Sequence, residues 1–593
     1  MYKNVSRVWV FVGGCFLTFI AFDLLWCMET TFRCMSNPAL YVNSLLWSLL
    51  LTVPYSIFRK MWIQGVIMVL LDLVLEANFM YCRTYFSAIP LESYFLAGNL
   101  KDFQASVWDS IRCSDVILPL VTLLTFWTAC KVRNRYNSGI FWKYLILTIV
   151  SGLLSWILAA IGGGYKAQIS KMEESCYYST CVVPVYTIFG NIIYQATQNS
   201  SSELTADDVL EIETWLKNKA ELRSYTALPD SVSDRTNLVI ILCESLESWV
   251  LQKDVEGKPI TPYLNSLIED SSTLYAPNVL TQVAAGRSID CQLLINAGML
   301  PMLQSVYSMK YPRSTYKTIV KAMKERDGAR AYILTCDKPI VWNQEAIGKA
   351  FGIDTLLHRS SWHNDEMVGN PAKLSDGSFL RQSVDKLKAG EIWKEGEPAF
   401  LQWVTYSGHN PFRLPDKLKD SDFSVPDTWK EKAADYVTMA HYTDASLKPL
   451  IEYLKSRSDY DRTMIVITGD HEGLAAHRST LLKDKNMHGI INENQFTPLI
   501  ILNSPISGRY DDVMGQIDIY PTLLQLMGLD DYEWKGMGQS IFEKGKPAYA
   551  ISSMTNSVTG DSSDIDFRVK NNIEAARKIS DKIISKDYFG HQD

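Results

Sequence analysis

Five apolar stretches crowd the first quarter of the chain: Val8–Trp26, Leu40–Phe58, Trp62–Tyr81, Val116–Ala129 and Ile140–Ile161. Most approach the ~20 residues a helix needs to cross a bilayer core, so residues 1–164 are expected to form a five-helix transmembrane domain. The fourth stretch is short. The first is not expected to be a cleaved leader, because no small-residue cleavage site follows it and four more spans come after. Basic residues set the expected orientation. Lys3 and Arg7 precede the first span, Arg59 and Lys60 separate the second from the third, and Lys131, Arg133 and Arg135 separate the fourth from the fifth. With five spans all three clusters fall on one side, the cytoplasmic one, and everything after residue 164 lies outside. Asp72 and Glu76 share one face of the third span. An interhelical hydrogen bond near the outer interface is expected there, with a polar path for a lipid headgroup as the alternative.

The texture then changes twice. Residues 165–235 mix short apolar and polar pieces and read as juxtamembrane linker helices. Pro184–Thr197 is apolar and aromatic, which suits a helix lying along a membrane surface. Thr205 followed by Ala-Asp-Asp opens a predicted helix through Lys219, since threonine caps and aspartates suit the N-terminal dipole. Cys176 and Cys181 are close enough in sequence for a disulfide in an oxidising compartment. From residue 236 onward, β-rich runs at Asn237–Cys243, Arg330–Thr335, Ala399–Tyr406, Thr463–Thr468 and Pro498–Leu502 alternate with helical patterns at Tyr263–Asp270, Ser314–Glu325 and Ala433–Ser456. Short apolar strands between helices predict an α/β domain with a largely parallel, buried sheet over 236–547. Residues 548–593 return as one strand, a polar loop and a helix near Asn572–Ser585, a small C-terminal subdomain.

Composition narrows the function classes. Of 593 residues, 47% are hydrophobic and 21% charged, which excludes a disordered or low-complexity chain. The net charge of −7 leaves no basic excess, so no nucleic-acid partner is expected. Eleven cysteines are too sparse for a disulfide scaffold.

Ligands of open α/β sheets sit beyond the carboxyl ends of the strands, and two predicted strands end in metal-ligand residue types. Leu238–Cys243 runs into Glu244, and Met464–Gly469 runs into Asp470 and His471. Between them Gly286 breaks the chain and Ser288 starts a helical pattern. A serine at a helix N-terminus meets unpaired N–H groups that stabilise an alkoxide or an attached phosphate, though it needs a base or a metal to become a nucleophile. Three oxygens and one imidazole from Glu244, Ser288, Asp470 and His471 make a hard site for one divalent ion. Mn2+ is expected, with Mg2+ and Zn2+ as alternatives.

At this level of detail the chain resembles the lipoteichoic-acid-synthase-like phosphoglycerol transferases of the alkaline phosphatase/sulfatase superfamily. Thr261-Pro262, Gly286-Arg287-Ser288-Ile289-Asp290, Trp342-Asn343, Ser407-Gly408-His409, Gly469-Asp470-His471 and Gln516-Ile517-Asp518 follow the family's motifs in order, as does Asn78–Tyr81–Arg83 in the membrane half. The resemblance implies a multi-pass helical domain in a bacterial cytoplasmic membrane, N-terminus inside, and an extracytoplasmic α/β domain of alkaline-phosphatase/sulfatase type. It implies Ser288 as nucleophile and His409 as acid or phosphate partner. Arg287, Asp337, Trp342, Gln344 and His409 would bind substrate. The partners it implies are a phospholipid donor such as phosphatidylglycerol and a glycan, glycolipid or growing-polymer acceptor. Two departures bear on the headgroup. Gln344 stands where the family has a bidentate phosphate-binding arginine, and Thr335 stands where it often has histidine. Phosphoethanolamine transfer and phosphodiester or phosphate-ester hydrolysis are therefore the alternatives. A formylglycine sulfatase needs Pro at +2 and Arg at +4 from its nucleophile, and here Ser288 is followed by Asp290 and Gln292.

Overall fold

The computed structural model describes residues 6–30, 34–85, 88–94, 110–132, 138–161, 176–198, 203–223, 228, 235–302, 305–339, 341–369, 372–487 and 489–592. They fall into two compact units, with the division between residues 201 and 202.

In the first unit, α1 (Arg7–Thr30), α2 (Pro38–Phe58), α3 (Met61–Tyr85), α4 (Ile117–Lys131, preceded by a 3-10 turn from Cys113) and α5 (Ser138–Ile161) coincide with the expected spans. All five are long and apolar enough to cross a membrane. Each starts or ends one or a few residues beyond its apolar run, at α2 because a side chain caps the start. Asn37 Oδ1 accepts from Ala39 N–H at 3.0 Å ahead of Pro38. Phe11, Phe19, Phe22, Trp26, Tyr55 and Phe79 fill the bundle interior, while Leu123, Trp127, Ile149, Leu153 and Trp156 point outward, as lipid contact requires. Buried Arg83 on α3 pairs with Asp115 (2.6 and 2.8 Å) and Glu29 (2.6 and 2.8 Å), tying α1, α3 and the turn before α4 together. Asp72 is buried with Oδ1 unpaired, and neither Glu76 oxygen finds a partner among the described residues. A sixth helix, α6 (Cys176–Gln198), is interrupted at Thr187, φ 66°. It packs Val183 and Ile188 against Phe19, Phe22 and Trp26. The apolar run at Pro184–Thr197 thus contributes Ile188 to the unit's core while Ile193 stays exposed. The side chains of Cys176 and Cys181 lie outside the described residues.

The second unit begins with α7 (Ala206–Leu222), capped by Thr205, whose Oγ1 accepts from Asp208 N–H. It rests against α15 (Phe567–Ser585): Trp215 Nε1–H donates to Asn572 O at 2.8 Å, and Lys582 pairs with Asp208 (2.8 Å) and Glu211 (2.6 Å). Residues 165–235 are thus shared between the two units. The C-terminal residues supply a hairpin, β8 (Tyr549–Ile551) with β9 (Val558–Gly560), where one strand was expected. α15 starts at Phe567 because Asp566 caps it, its Oδ1 accepting from Arg568 N–H at 2.6 Å.

The sheet strands are β1 (Asn237–Cys243), β2 (Leu274–Leu280), β3 (Arg330–Thr335), β4 (Thr355–Leu357), β5 (Ala399–Val404), β6 (Thr463–Gly469) and β7 (Phe496–Leu502). Their spatial order is β2-β7-β6-β1-β5-β3-β4, with Gly508–Arg509 and Met514–Gly515 adding short pairings to β2. Only β7 runs against its neighbours; the rest is parallel, as the continuous apolar runs predict. β2 escapes the sequence pattern because Pro277 and Asn278 interrupt it. The structure accommodates Pro277 with a register shift between Thr497 and Leu499 on β7. The connecting helices that matter below are α8 (Pro262–Ile268), α9 (Ser288–Ala297), α10 (Ile319–Asp327), α11 (Gln344–Phe351), α12 (Asp376–Lys388), α13 (Glu431–Lys455) and α14 (Ile519–Leu526). α8, α10 and α13 replace the helices expected at 263–270, 314–325 and 433–456. The start of α10 moves to Thr318, whose hydroxyl accepts from Lys321 N–H.

Candidate active site

β1 and β6 are adjacent and parallel, with Cys243 opposite Gly469. The next residue of each strand, Glu244 and Asp470, therefore emerges side by side, followed by His471. Ser245, at φ 57°, turns the chain there; its N–H donates to Asp470 Oδ1 (2.8 Å) and its hydroxyl to Glu244 Oε1 (2.9 Å). Ser288 arrives from the other side as the first residue of α9. The loop before it is held by Asp290 Oδ2, which accepts from Ala284 and Gly286 N–H at 2.9 Å each. A Cβ on Gly286 would meet Asp290 Oδ1 at 2.3 Å, so only glycine lets this cap close.

Ser288 Oγ stands 3.4 Å from Glu244 Oε2 and 3.4 Å from His471 Nε2. His471 Nε2 is 3.5 Å from Glu244 Oε1 and 3.4 Å from Asp470 Oδ2. One ligand atom from each of Glu244, Asp470 and His471 lies within 4.8 Å of the others, and all three residues are buried. The structure thus brings together the four residues singled out in the sequence.

Electrostatics identify what this cluster is built for. Burial, reinforced by Asp470, pushes the Glu244 carboxyl well up, and burial raises Asp470 as well. Asp470 Oδ2 is buried and accepts no hydrogen bond among the described residues. Burial, then Arg287, pushes His471 down to about 3, which leaves a neutral imidazole. Two crowded carboxylates, an unsatisfied oxygen and a neutral nitrogen are the donor chemistry of a divalent-cation site. The ligand atoms of Glu244, Asp470 and His471 lie close enough together to be gathered around one cation, with Ser288 Oγ beside them. The residues present fit a metal.

A second layer fixes these donors. Arg287, at φ 51°, does not stand free for substrate as expected. Its guanidinium pairs with Glu472 Oε1, donates to Glu472 O at 2.8 Å and lies 2.9 Å from His471 Nδ1. Burial opposes the Glu472 charge, but Arg287 holds that carboxyl below its usual range. Glu247 Oε1 accepts from Gly473 (2.8 Å) and Leu474 (3.0 Å) N–H, and its other oxygen pairs with Arg478, anchoring the chain after His471. The sequence reading missed Glu472, Glu247 and Ser245; the run Asp470-His471-Glu472 was the available signal for the first.

On the β5 side, Thr405 Oγ1 accepts from Glu244 N–H at 2.9 Å, and a Cβ on Gly408 would meet Glu244 O at 2.0 Å. The His409 loop is therefore pressed onto the exit of β1. His409 is driven down to about 4 by burial, then by Lys373. Its Nδ1–H donates to Asn410 O at 2.8 Å, which leaves Nε2 as the acceptor. Asp337 pairs with buried Lys373, a residue not picked out from the sequence. Trp342 and Asn343 both take left-handed backbone, φ 53° and 55°, at the start of α11. Gln344 is not brought to the cluster. Its amide exchanges hydrogen bonds of 3.1 and 2.9 Å with Gln292, and Gln292 accepts from Gln402 at 3.0 Å, forming a buried amide ladder behind α9.

The sulfatase family profile matches residues 236–529. Lipoteichoic acid synthase 2 of Bacillus subtilis is 25% identical, the similarity covering 92% of this chain and 88% of that one. The lipoteichoic acid synthase of Staphylococcus saprophyticus is 23% identical over 89% of this chain and 84% of its own. Among solved structures, the lipoteichoic acid synthase LtaP of Listeria monocytogenes superposes with a TM-score of 0.51 at 20% identity, covering 62% of this chain and 97% of that one. With the strand-end carboxylates and His471 facing the first serine of α9, residues 236–529 are a sulfatase-family domain, carried on a membrane protein similar along most of its length to lipoteichoic acid synthases.

Proposed function

We propose that the protein is a membrane-anchored, metal-dependent transferase that moves a phosphoglycerol-type headgroup from phosphatidylglycerol to a cell-envelope glycan, glycolipid or growing polymer. The helical unit spans a bacterial cytoplasmic membrane with its N-terminus inside, and the catalytic domain works outside, beside its lipid donor. The observation that carries this reading is the Ser288 hydroxyl, 3.4 Å from two of three buried ligands.

In the first step Ser288 Oγ forms a bond to phosphorus and the bond from phosphorus to the diacylglycerol oxygen breaks. The proton lost by Ser288 ends on diacylglycerol, and the headgroup stays on the enzyme as a phosphoserine diester. In the second step the acceptor oxygen bonds to phosphorus, the Ser288 ester breaks, and the acceptor's proton returns to Ser288. The neutral Nε2 of His409 is suited to take the acceptor's proton. An anionic phosphate bound beside it raises its basicity, so the same group serves the leaving oxygen in the first step. Ser288 opens α9, so the positive end of that helix's dipole favours the developing charge on its oxygen. The cation, when bound, acidifies the serine hydroxyl and offsets negative charge in both steps. Glu244, Ser288, Asp470 and His471 would hold it. A set of three oxygens and one imidazole suits Mn2+, with Mg2+ and Zn2+ as the alternatives.

The test is headgroup-labelled phosphatidylglycerol given to the detergent-purified chain with Mn2+. Diacylglycerol release with label on Ser288 supports the first step, and Ser288→Ala stops both. Free glycerol phosphate as sole product replaces the reading with hydrolysis. Gln344 in place of arginine favours testing phosphatidylethanolamine alongside, for the phosphoethanolamine-transfer alternative.

A further inference from the structure

Lys373 is an ammonium with 6% exposure in the wall beside the His409 loop, where its charge also helps keep His409 neutral. It comes from a small hairpin in which Lys373–Leu374 pairs with Met367–Val368. Just after it, Asp376 Oδ1 accepts from Tyr406 (2.8 Å) and Ser407 (3.0 Å) N–H, so the hairpin and the His409 loop are bolted together. Lys373 Nζ sits 4.2 Å from the Tyr406 ring centre, and Tyr406 stacks on His409 with centroids 5.4 Å apart. Lys373 also forms an ion pair with Asp337, whose side chain remains 26% exposed. Asp337 lies just past the end of β3, two strands from the β1 exit that carries Glu244. The buried ammonium is held by one carboxylate and one aromatic face, whereas the carboxylate it holds still reaches solvent.

Without Lys373, Asp337 would be an unpaired carboxylate in the wall, the natural partner of a cationic headgroup. With Lys373 behind it, the pair is neutral. What Asp337 still presents is a hydrogen-bond acceptor for hydroxyl groups, and a second ammonium brought to it meets a like charge within the same contact. We infer that Lys373 is a specificity-determining residue: by neutralising Asp337 from the buried side it admits phosphate headgroups that end in uncharged hydroxyls and excludes those that end in an ammonium. The inference rests on the reading that Ser288 takes its headgroup from a phospholipid, and it decides between the two donors left open there.

The experiment compares diacylglycerol release from phosphatidylglycerol and phosphatidylethanolamine by the full chain in detergent with Mn2+. The wild-type protein should prefer phosphatidylglycerol in kcat/KM by about tenfold or more, and Lys373→Met should shrink that ratio by about tenfold through a lower KM for phosphatidylethanolamine. Lys373→Arg should keep the preference. Release from neither donor overturns the phospholipid-transferase reading and the inference with it. Equal wild-type release from both, or an unchanged ratio in Lys373→Met, overturns the inference alone. Should Lys373→Met not fold, inhibition of wild-type turnover decides the matter. Free glycerol phosphate should inhibit about tenfold more strongly than free phosphoethanolamine, and equal inhibition refutes the role of Lys373.

Discussion

Replacing Glu244 with glutamine should make the metal-free protein more stable while abolishing its chemistry. Glu244 and Asp470 are both buried, and their ligand oxygens lie within 4.8 Å of each other. Two unit charges at 4.8 Å repel by about 3.5 kcal/mol at an effective dielectric of ~20. Protonation caps the cost. Above the ordinary glutamate value of 4.5, keeping a carboxyl neutral costs about 1.4 kcal/mol per pH unit, or about 3.4 kcal/mol at pH 7. Because the folded value is raised, the folded protein holds a proton that the unfolded chain has released. Stability from this group is therefore complete below the unfolded value and is lost as pH rises through the folded one. Glutamine is neutral throughout and keeps an oxygen for the Ser245 hydroxyl, so it removes the penalty. For a unit of residues 202–593, with an unfolding entropy of ~2.1 cal/mol/K per residue, 3 kcal/mol corresponds to about 4 °C. The assay is thermal unfolding of the full chain in detergent and EDTA. The variant should melt about 4 °C above wild type at pH 7, with the gap closing toward pH 4.5. Excess Mn2+ should reverse the order, since only wild type gains fully from the cation. A variant that melts below wild type in EDTA at pH 7, or a gap that ignores pH, refutes the crowding of these carboxylates.

Further outcomes follow from the surrounding layer. Glu472→Gln leaves the mostly buried Arg287 guanidinium without its carboxylate beside His471, so it should weaken Mn2+ binding by about 10–100-fold, read by calorimetry, and lower metal-free stability by about 3 kcal/mol. Gln344→Arg should bury an unpaired guanidinium against Gln292 and lower stability by about 3 kcal/mol or more instead of improving turnover; a stable, more active variant would mean that this side chain reaches substrate after all.

Much of this architecture can be read along the chain because strand burial and ligand placement coincide. Val239 to Cys243 and Met464 to Gly469 are continuous apolar runs, each can only be an interior strand, and the residue that follows each must surface at the sheet's carboxyl edge. Glu244, Asp470 and His471 are legible for that reason, and Ser288 because Gly286 marks the turn before its helix. What stayed hidden depends on contacts between distant segments. β2 carries Pro277 and Asn278, and it pairs with β7 through a register shift at those two residues. Lys373 lies in a stretch without periodicity, and only its contact with Asp337, 36 positions earlier, gives it meaning. Arg287 looks like a free phosphate ligand until Glu472 is placed beneath it. Gln344 points inward because Gln292, one turn after the nucleophile, offers it a partner. Backbone pattern fixes where a side chain starts, but its direction is set by partners that a linear reading cannot pair.

The most direct measurement is the mass of the active-site peptide after the Mn2+-loaded protein has been held with phosphatidylglycerol and no acceptor. The account predicts that residue 288 gains one glycerophosphoryl group in step with diacylglycerol release, and that adding an acceptor discharges it. Diacylglycerol formed while that peptide stays unmodified would contradict the account.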